Sequence, residues 1–199
     1  MDFLEGFLLG PIWSDTEYET RRHAGFYWLI GWIACAVFAW MLAFPEKAPS
    51  WMGMPHYLPI LIAIVIALGS PFAGRYYYRL NFFLKILILL LEILKFGMAF
   101  LALFQYLLPK YSLDLDALPQ DILEYINQTI AKTTDYFAEV GEGLGMLLGI
   151  VSGGLLIVLT FVGGLLLATL IPIIYLAALK LIQRGIDMLA RLALIREVE

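Results

Sequence analysis

One run of the chain, Gly143–Leu179, holds 37 residues without a single Asp, Glu, Lys, Arg or His. About 20 apolar residues in a helix already cross the hydrocarbon core of a bilayer, which is roughly 30 Å thick. The run is therefore nearly twice as long as one crossing needs. It places the chain in a membrane, and it raises the question of what covers the surplus apolar surface.

The composition of the whole chain agrees with a membrane protein. Hydrophobic residues make up 62% of the sequence and charged residues 15%, and the mean hydropathy is +0.84. Soluble domains carry roughly 25% charged residues, so a soluble fold is excluded. The net charge of −4 argues against nucleic acid as a partner, because nucleic-acid-binding proteins carry basic surfaces.

Four apolar segments are long enough to be transmembrane helices. A span in lipid must satisfy its own backbone hydrogen bonds, so these segments are expected to be helical. The sequence predicts an all-α membrane protein, a four-helix bundle that forms a single membrane domain over residues 1–199. The predicted crossings are residues 24–44, 57–73, 80–108 and 143–179.

Three further segments have the pattern of amphipathic helices. Residues 1–23 are predicted to be an interfacial segment, because Asp2 to Trp13 is largely apolar; packing beneath the bundle is the alternative. Residues 109–142 form an acidic outer loop whose helix is expected to pack its apolar stripe on protein. Residues 180–199 are predicted to continue the fourth helix as an amphipathic cytoplasmic helix. The stripe in the outer loop consists of Ile122, Ile126, Ile130, Thr133 and Phe137.

Basic residues in the flanks predict the orientation, because Lys and Arg favour the cytoplasmic side. In a four-crossing layout the other side receives only three basic residues but eight acids, and both termini are cytoplasmic. We expect a multi-pass protein of a bacterial-type inner or plasma membrane. The residues on the cytoplasmic side are Arg21, Arg22, Arg75, Arg79, Lys180, Arg184, Arg191 and Arg196.

The long apolar run has two interpretations. It could fold into two short crossings at Gly163-Gly164, but that turn has no polar residues and would place four basic residues outside. One helix of about 55 Å is favoured, at 1.5 Å per residue, with tilt and a kink at Pro172 taking up part of the length. The remaining apolar surface predicts contact with another chain, in a homo-oligomer or with other membrane subunits.

Glycines recur along this helix at spacings typical of close helix packing. Three of them follow one another at every fourth residue, the small-xxx-small pattern sometimes called a glycine zipper. The partner is either another helix of the same chain or a neighbouring subunit, including a ring lined by this helix. The predicted packing residues are Gly145, Gly149, Gly153, Gly154, Gly163 and Gly164.

The third crossing carries two charges near its middle, Glu92 and Lys95. Residues three apart on a helix can meet on one face, so the pair can be purely structural. Charges inside a membrane are costly and also mark ion pathways or the docking of a partner. Lys85 lies near the end of the helix and is expected to extend toward the surface.

The turn between the second and third crossings is basic and aromatic. Such residues at headgroup level anchor helices and hold lipid phosphates. We therefore expect a lipid anchor there, with a specific lipid or partner site as the alternative. The turn residues are Arg75, Tyr76, Tyr77, Tyr78 and Arg79.

Residue usage gives no sign of catalysis or of a cofactor. His23 and His56 fall on opposite sides of the predicted membrane, so they are not expected to share a haem or a metal, and no known catalytic or phosphate-binding motif is present. The sequence predicts a non-catalytic subunit of a membrane assembly, without cofactor or metal. The alternative is a homo-oligomeric ion channel or transporter component that uses Glu92 and Lys95.

Overall fold

The computed structural model describes residues 2–13 and 23–195, and every regular element in these ranges is a helix. Short 3₁₀ turns connect several of the longer helices. The all-helical prediction is therefore confirmed for the described residues. The six α-helices are α1 (Asp2–Leu9), α2 (Ala24–Ala43), α3 (Tyr57–Tyr76), α4 (Phe82–Leu107), α5 (Leu118–Tyr136) and α6 (Glu142–Ile195).

Four helices are long and apolar enough to cross a membrane, and they correspond to the four predicted crossings. These spans are Ala24–Ala43, Tyr57–Arg79, Phe82–Lys110 and Glu142–Ala193. Three of the basic residues used to predict the orientation, Arg21, Arg22 and Arg196, lie outside the described residues. The orientation of the chain stays a prediction.

Helix α3 runs a few residues further than the predicted crossing 57–73, and α6 continues without a break beyond the apolar run. Helix α3 continues through Pro71 to Tyr76, and α6 is one helix of 54 residues. There is no break at Gly163-Gly164, so the two short crossings considered above are not observed, and no break separates residue 180 from the apolar run. A proline inside a helix is tolerated where other groups pair with the carbonyl that it leaves free.

The chain divides into two compact units. The first consists of Met1–Tyr111 together with Pro172–Glu199, and the second is Ser112–Ile171. The first part of helix α6, up to Ile171, therefore belongs to the second unit, and its second part, from Pro172 on, belongs to the first unit. Each unit has its own packing.

In the first unit, aromatic and aliphatic side chains of α1, α2, α4 and the second part of α6 form a common core. Phe38 of α2 lies against Phe104 of α4, with ring centroids 5.6 Å apart. The hydroxyl of Tyr175, on α6, donates a hydrogen bond to the carbonyl of Ala99 on α4, at 2.9 Å. The side-chain amide of Gln105 donates to two carbonyls of the loop that follows α2, those of Met52 and Met54.

Helix α1 packs on protein. Phe7 is buried and stacks on Phe26 of α2, with ring centroids 5.2 Å apart. The carboxylate of Glu5 accepts a 2.9 Å hydrogen bond from the hydroxyl of the buried Tyr77. The amino-terminal segment thus makes the protein contacts that were expected if it lies beneath the bundle.

In the second unit, α5 packs along the first part of α6. The hydroxyl of Thr133 donates to the carbonyl of Gly149 at 2.8 Å, and the ring of Tyr125 lies edge-on to Phe161 at 6.3 Å. The acidic side chains of α5 remain exposed. The apolar stripe of α5 was predicted to pack on protein, and the partner is α6 of the same chain.

Candidate functional site: a buried polar network

Glu92 and Lys95 form an ion pair in the interior of the first unit. They lie at i and i+3 on α4 with exposed fractions of only 3% and 5%, and the Lys95 ammonium donates to the Glu92 carboxylate. Helical spacing brings the two side chains to one face, as predicted. Residues from two other helices complete the site.

Ser70, on α3, contacts both members of the pair. Its hydroxyl donates to the Glu92 carboxylate and lies 3.4 Å from the Lys95 nitrogen. The same hydroxyl is 3.0 Å from the carbonyl of Ile66, four residues back on its own helix. A hydroxyl has one hydrogen, so Ser70 can donate to only one of these two acceptors at a time.

Gln183 and Asp187 reach the network from α6. The Gln183 Oε1 accepts a 3.2 Å hydrogen bond from Lys95, and its Nε2 donates to the Asp187 carboxylate at 2.8 Å. The Gln183 Nε2 also lies 3.2 Å from the carbonyl of Ala67 on α3. That carbonyl is free because Pro71, four residues on, has no N–H to donate. The proline in α3 thus creates the acceptor that α6 uses.

The network joins three helices and leaves few donors unused. Lys95 has three N–H groups and three oxygen neighbours, on Glu92, Ser70 and Gln183. The amide of Gln183 uses its oxygen and both of its hydrogens. Since polar networks stabilise a core only when their members are satisfied, this arrangement can hold α3, α4 and α6 together. A continuous row of hydrogen-bonding groups can also take part in ion or proton binding.

The orientation of the carboxy-terminal part of α6 places its polar side inward. Gln183 and Asp187 are buried, whereas Ile182 and Leu189 are 62% and 70% exposed. A helix in water buries its apolar side instead. The exposed apolar side chains of this part of α6 therefore need a cover, which lipid or another chain can supply.

Two cavities border the network. One of about 250 Å³ has a partly polar wall that includes His23, Lys180, Arg184 and Asp187. The other is an apolar groove of about 240 Å³ between α3, α4 and α6, with Lys95 and Gln183 at its wall. The network therefore separates a polar space from an apolar one.

His23 and Lys180 lie on the polar cavity under the cover of α1. The Lys180 ammonium donates to the Phe7 carbonyl and lies 3.5 Å from the centroid of the Phe7 ring. Burial, together with the Lys180 charge, lowers the pKa of His23 below its usual 6.5. Both effects disfavour the charged imidazolium form of His23.

The basic aromatic turn is only partly suited to an anchor. Arg75 and Arg79 are exposed, and the Arg75 guanidinium lies 5.8 Å from the ring centroid of Tyr76, which is also exposed. Tyr77, in contrast, is buried and bonded to Glu5. A lipid anchor at this turn stays a prediction, and Tyr77 is not placed to contribute to it.

The six predicted packing glycines fall into two groups. A Cβ at Gly145, Gly149 or Gly153 would lie within about 2.6 Å of α5 or the turn after it, so these three glycines allow the close approach of α5. The other three, Gly154, Gly163 and Gly164, have no atom within 4 Å of a built Cβ position. Close packing within the chain therefore accounts for the first group alone.

Ser70 and Gln183 were not predicted as site residues from the sequence, and Asp187 falls in the predicted cytoplasmic helix, residues 180–199. Two signals were present in the sequence: Ser70 precedes Pro71 in an apolar helix, and Gln183 lies on the same helical face as Lys180 and Asp187. Among the described residues, no group of three or more His, Cys, Asp or Glu side chains is placed to hold a metal ion. Comparison with protein-family models, curated proteins and solved structures finds no match to this chain.

Proposed function

We propose that the chain is a non-catalytic integral membrane subunit of an oligomeric assembly. In this proposal it is a bundle of four crossings with both termini in the cytoplasm of a bacterial-type inner membrane, and its long fourth helix, kinked at Pro172, continues on the cytoplasmic side. The partners are lipid and either further copies of the chain or other membrane subunits. Its activity lies in assembly and not in catalysis.

The exposed apolar surface of the first part of α6 supports this proposal most directly. Within the second unit, α5 covers one face of this part, and large apolar side chains remain exposed on the others. The uncharged run is about 55 Å long at 1.5 Å per residue, and a bilayer covers roughly 30 Å of it. Exposed apolar residues on this part of the helix include Leu147, Val151, Leu155, Leu159, Val162 and Leu166.

The glycines that α5 does not occupy indicate where a neighbour can approach closely. Gly154, Gly163 and Gly164 offer open positions without side chains, and small residues let helices in a membrane pack at short distance. The glycines of α6 thus serve two contacts in this proposal. Helix α5 packs against Gly145, Gly149 and Gly153, and the partner chain packs against Gly154, Gly163 and Gly164.

The native mass of the complex extracted in mild detergent tests the proposal. We expect light scattering to give a protein mass several times the 22.5 kDa of one chain or to reveal co-purifying subunits. Gly163→Leu should shift the complex toward the single chain, because a bulky side chain separates packed helices. The proposal would be contradicted if the detergent-extracted protein had the mass of a single chain and if cross-linking in native membranes also gave no higher species.

A second candidate function is ion or proton movement through the first unit. The observation in its favour is the hydrogen-bonded network around Glu92 and Lys95, which extends from α3 to α6 beside the polar cavity. A pore lined by the first part of α6 has less support. The hydroxyls of Ser152 and Thr160 donate to carbonyls of their own helix, those of Leu148 and Leu156.

Flux measurements in liposomes test this second candidate. The wild-type protein is expected to dissipate an imposed pH or ion gradient, and the double variant Glu92→Gln/Lys95→Met to lose this flux, because it removes both charges of the network. Lys85→Met serves as the control, since Lys85 contacts aromatic rings and lies outside the network. Equal flux in wild type and double variant would leave Glu92 and Lys95 with a structural role only.

A further inference from the structure

Asp187 is a buried carboxylate without an ion-pair partner. Its exposed fraction is 4%, and the one ion pair among the described residues joins Glu92 to Lys95. The Gln183 amide donates a hydrogen bond to Asp187, but an amide carries no charge and cannot compensate that of the carboxylate. Since Glu92 and Lys95 compensate each other, an ionised Asp187 leaves the network with one negative charge in excess.

The other charged groups that face Asp187 do not supply this missing partner. Lys95 directs its three N–H groups at Glu92, Ser70 and Gln183, and the Lys180 ammonium is bonded to the Phe7 carbonyl. Arg184 and Arg191, on the same helix, are exposed. From the amino-terminal part of the chain, His23 faces the same cavity, with its pKa lowered by burial and by the Lys180 charge, and the indole N–H of Trp13 is directed at the Asp187 carboxyl group.

Burying a lone charge is costly, and a carboxyl group relieves the cost by taking up a proton. Asp187 can exchange such a proton because its side chain lines the polar cavity of about 250 Å³. The Nδ1 atom of His23, a residue on the same cavity, is buried without a hydrogen-bond partner. Polar groups around this cavity are therefore available to bridging water molecules.

We propose that Asp187 is a proton-binding site, loaded and emptied through the polar cavity beside α6. A proton from solvent adds to a carboxylate oxygen of Asp187 and gives the neutral acid; its departure restores the carboxylate, and no other covalent bond changes. The excess negative charge of the network disappears when the site is loaded.

Loading of the site is transmitted to α4 through Gln183. The amide bridges the Asp187 carboxylate and Lys95, and a hydrogen bond to a carboxylate is stronger than one to a neutral carboxyl group. Protonation of Asp187 thus weakens the hydrogen bond between the Gln183 amide and the Asp187 side chain, and the amide that contacts Lys95 is held less firmly. The inference deepens the second candidate function by naming the proton as the ion, but proton binding can occur without transport.

Infrared difference spectroscopy on the full-length protein in lipid nanodiscs tests the proposal. Spectra at about pH 6.5 and about pH 9 are compared, because exposed carboxylates with a pKa near 4 are ionised at both. We expect a carbonyl-stretch band of a protonated carboxyl group at the lower pH that disappears at the higher pH. The band should move when Asp is labelled with ¹³C at the side-chain carboxyl and should be absent in Asp187→Asn.

Two comparisons make the result decisive. Asp121→Asn changes an exposed acid of α5 and should leave the band unchanged. Three results would overturn the proposal. The band could keep its position when Asp is ¹³C-labelled, it could remain in Asp187→Asn, or no pH-dependent band could be observed at all. Proton flux in liposomes is measured separately. If the protein shows the band but transports no protons, Asp187 is a proton-binding site and the proposed transport function is wrong.

Discussion

Lys95→Met is expected to destabilise the first unit by about 3 kcal/mol, since it leaves Glu92 buried without its counter-charge. The remaining Glu92 and Asp187 carboxylates then lie in one network with no cation between them. Three hydrogen bonds from Lys95 are lost at the same time. For a chain of this size the expected fall in the thermal unfolding midpoint is about 6–12 °C, measured by circular dichroism of the protein in detergent above pH 7.

Lys85→Met is the matched control, on the same helix and with the same change of side chain. Lys85 is half-buried and contacts the rings of Tyr77 and Tyr78, and such contacts contribute about 0.5–2 kcal/mol, depending on burial. The double variant Glu92→Gln/Lys95→Met should be more stable than Lys95→Met alone, because both buried charges are gone. If Lys95→Met melted at the same temperature as Lys85→Met, the ion pair would not hold the three helices together.

Gly149→Leu is expected to separate α5 from α6. Even a Cβ at this position would lie 2.4 Å from the Thr134 Cα, a backbone atom that cannot move without shifting α5. The hydrogen bond from Thr133 to the Gly149 carbonyl is lost when the helices separate. Overpacking of this kind costs about 1–3 kcal/mol. Hydrogen exchange of the α5 amides, followed by mass spectrometry, should be roughly 10- to 100-fold faster, at 1.4 kcal/mol per factor of ten.

The neighbouring position supplies the control for this experiment. Gly154 lies five residues along the same helix with open space around it, so Gly154→Leu makes an identical substitution without a clash. Its α5 amides should exchange at the wild-type rate. Unchanged exchange in Gly149→Leu, or equal acceleration in both variants, would show that the glycine row does not position α5.

Helix content and the four apolar spans could be predicted because a segment that crosses lipid must be apolar along its length and must pair its own backbone groups. The lengths of the runs and the charges between them located α2, α3, α4 and α6 within a few residues. The ends were less predictable where a proline intervened. The predicted crossing ends at residue 73, two residues after Pro71, whereas α3 continues to Tyr76 and the side chain of Gln183 pairs with the Ala67 carbonyl that the proline leaves free.

The composition of the polar network could be predicted only in part. Glu92 and Lys95 are close in sequence, and helical spacing alone places them together. Ser70 and Gln183 lie 22 and 88 residues away from their partners in the pair, and no local pattern reports which helix faces meet. The packing of the glycines was left open for the same reason, since a glycine row fits a helix of the same chain as well as a neighbour.

The free carbonyl of Ala67 has a consequence for the order in which the protein is made. A chain emerging from the ribosome inserts α3 and α4 more than 70 residues before Gln183 is synthesised. Until then α3 carries an unpaired acceptor in the membrane, and Lys95 lacks one of its three oxygen partners. Unpaired polar groups are unfavourable in an apolar environment, so α3 and α4 complete their polar pairing only when Gln183 is present. A chain truncated before residue 183 is therefore expected to leave the Ala67 carbonyl without its side-chain partner and Lys95 without one of its oxygen partners.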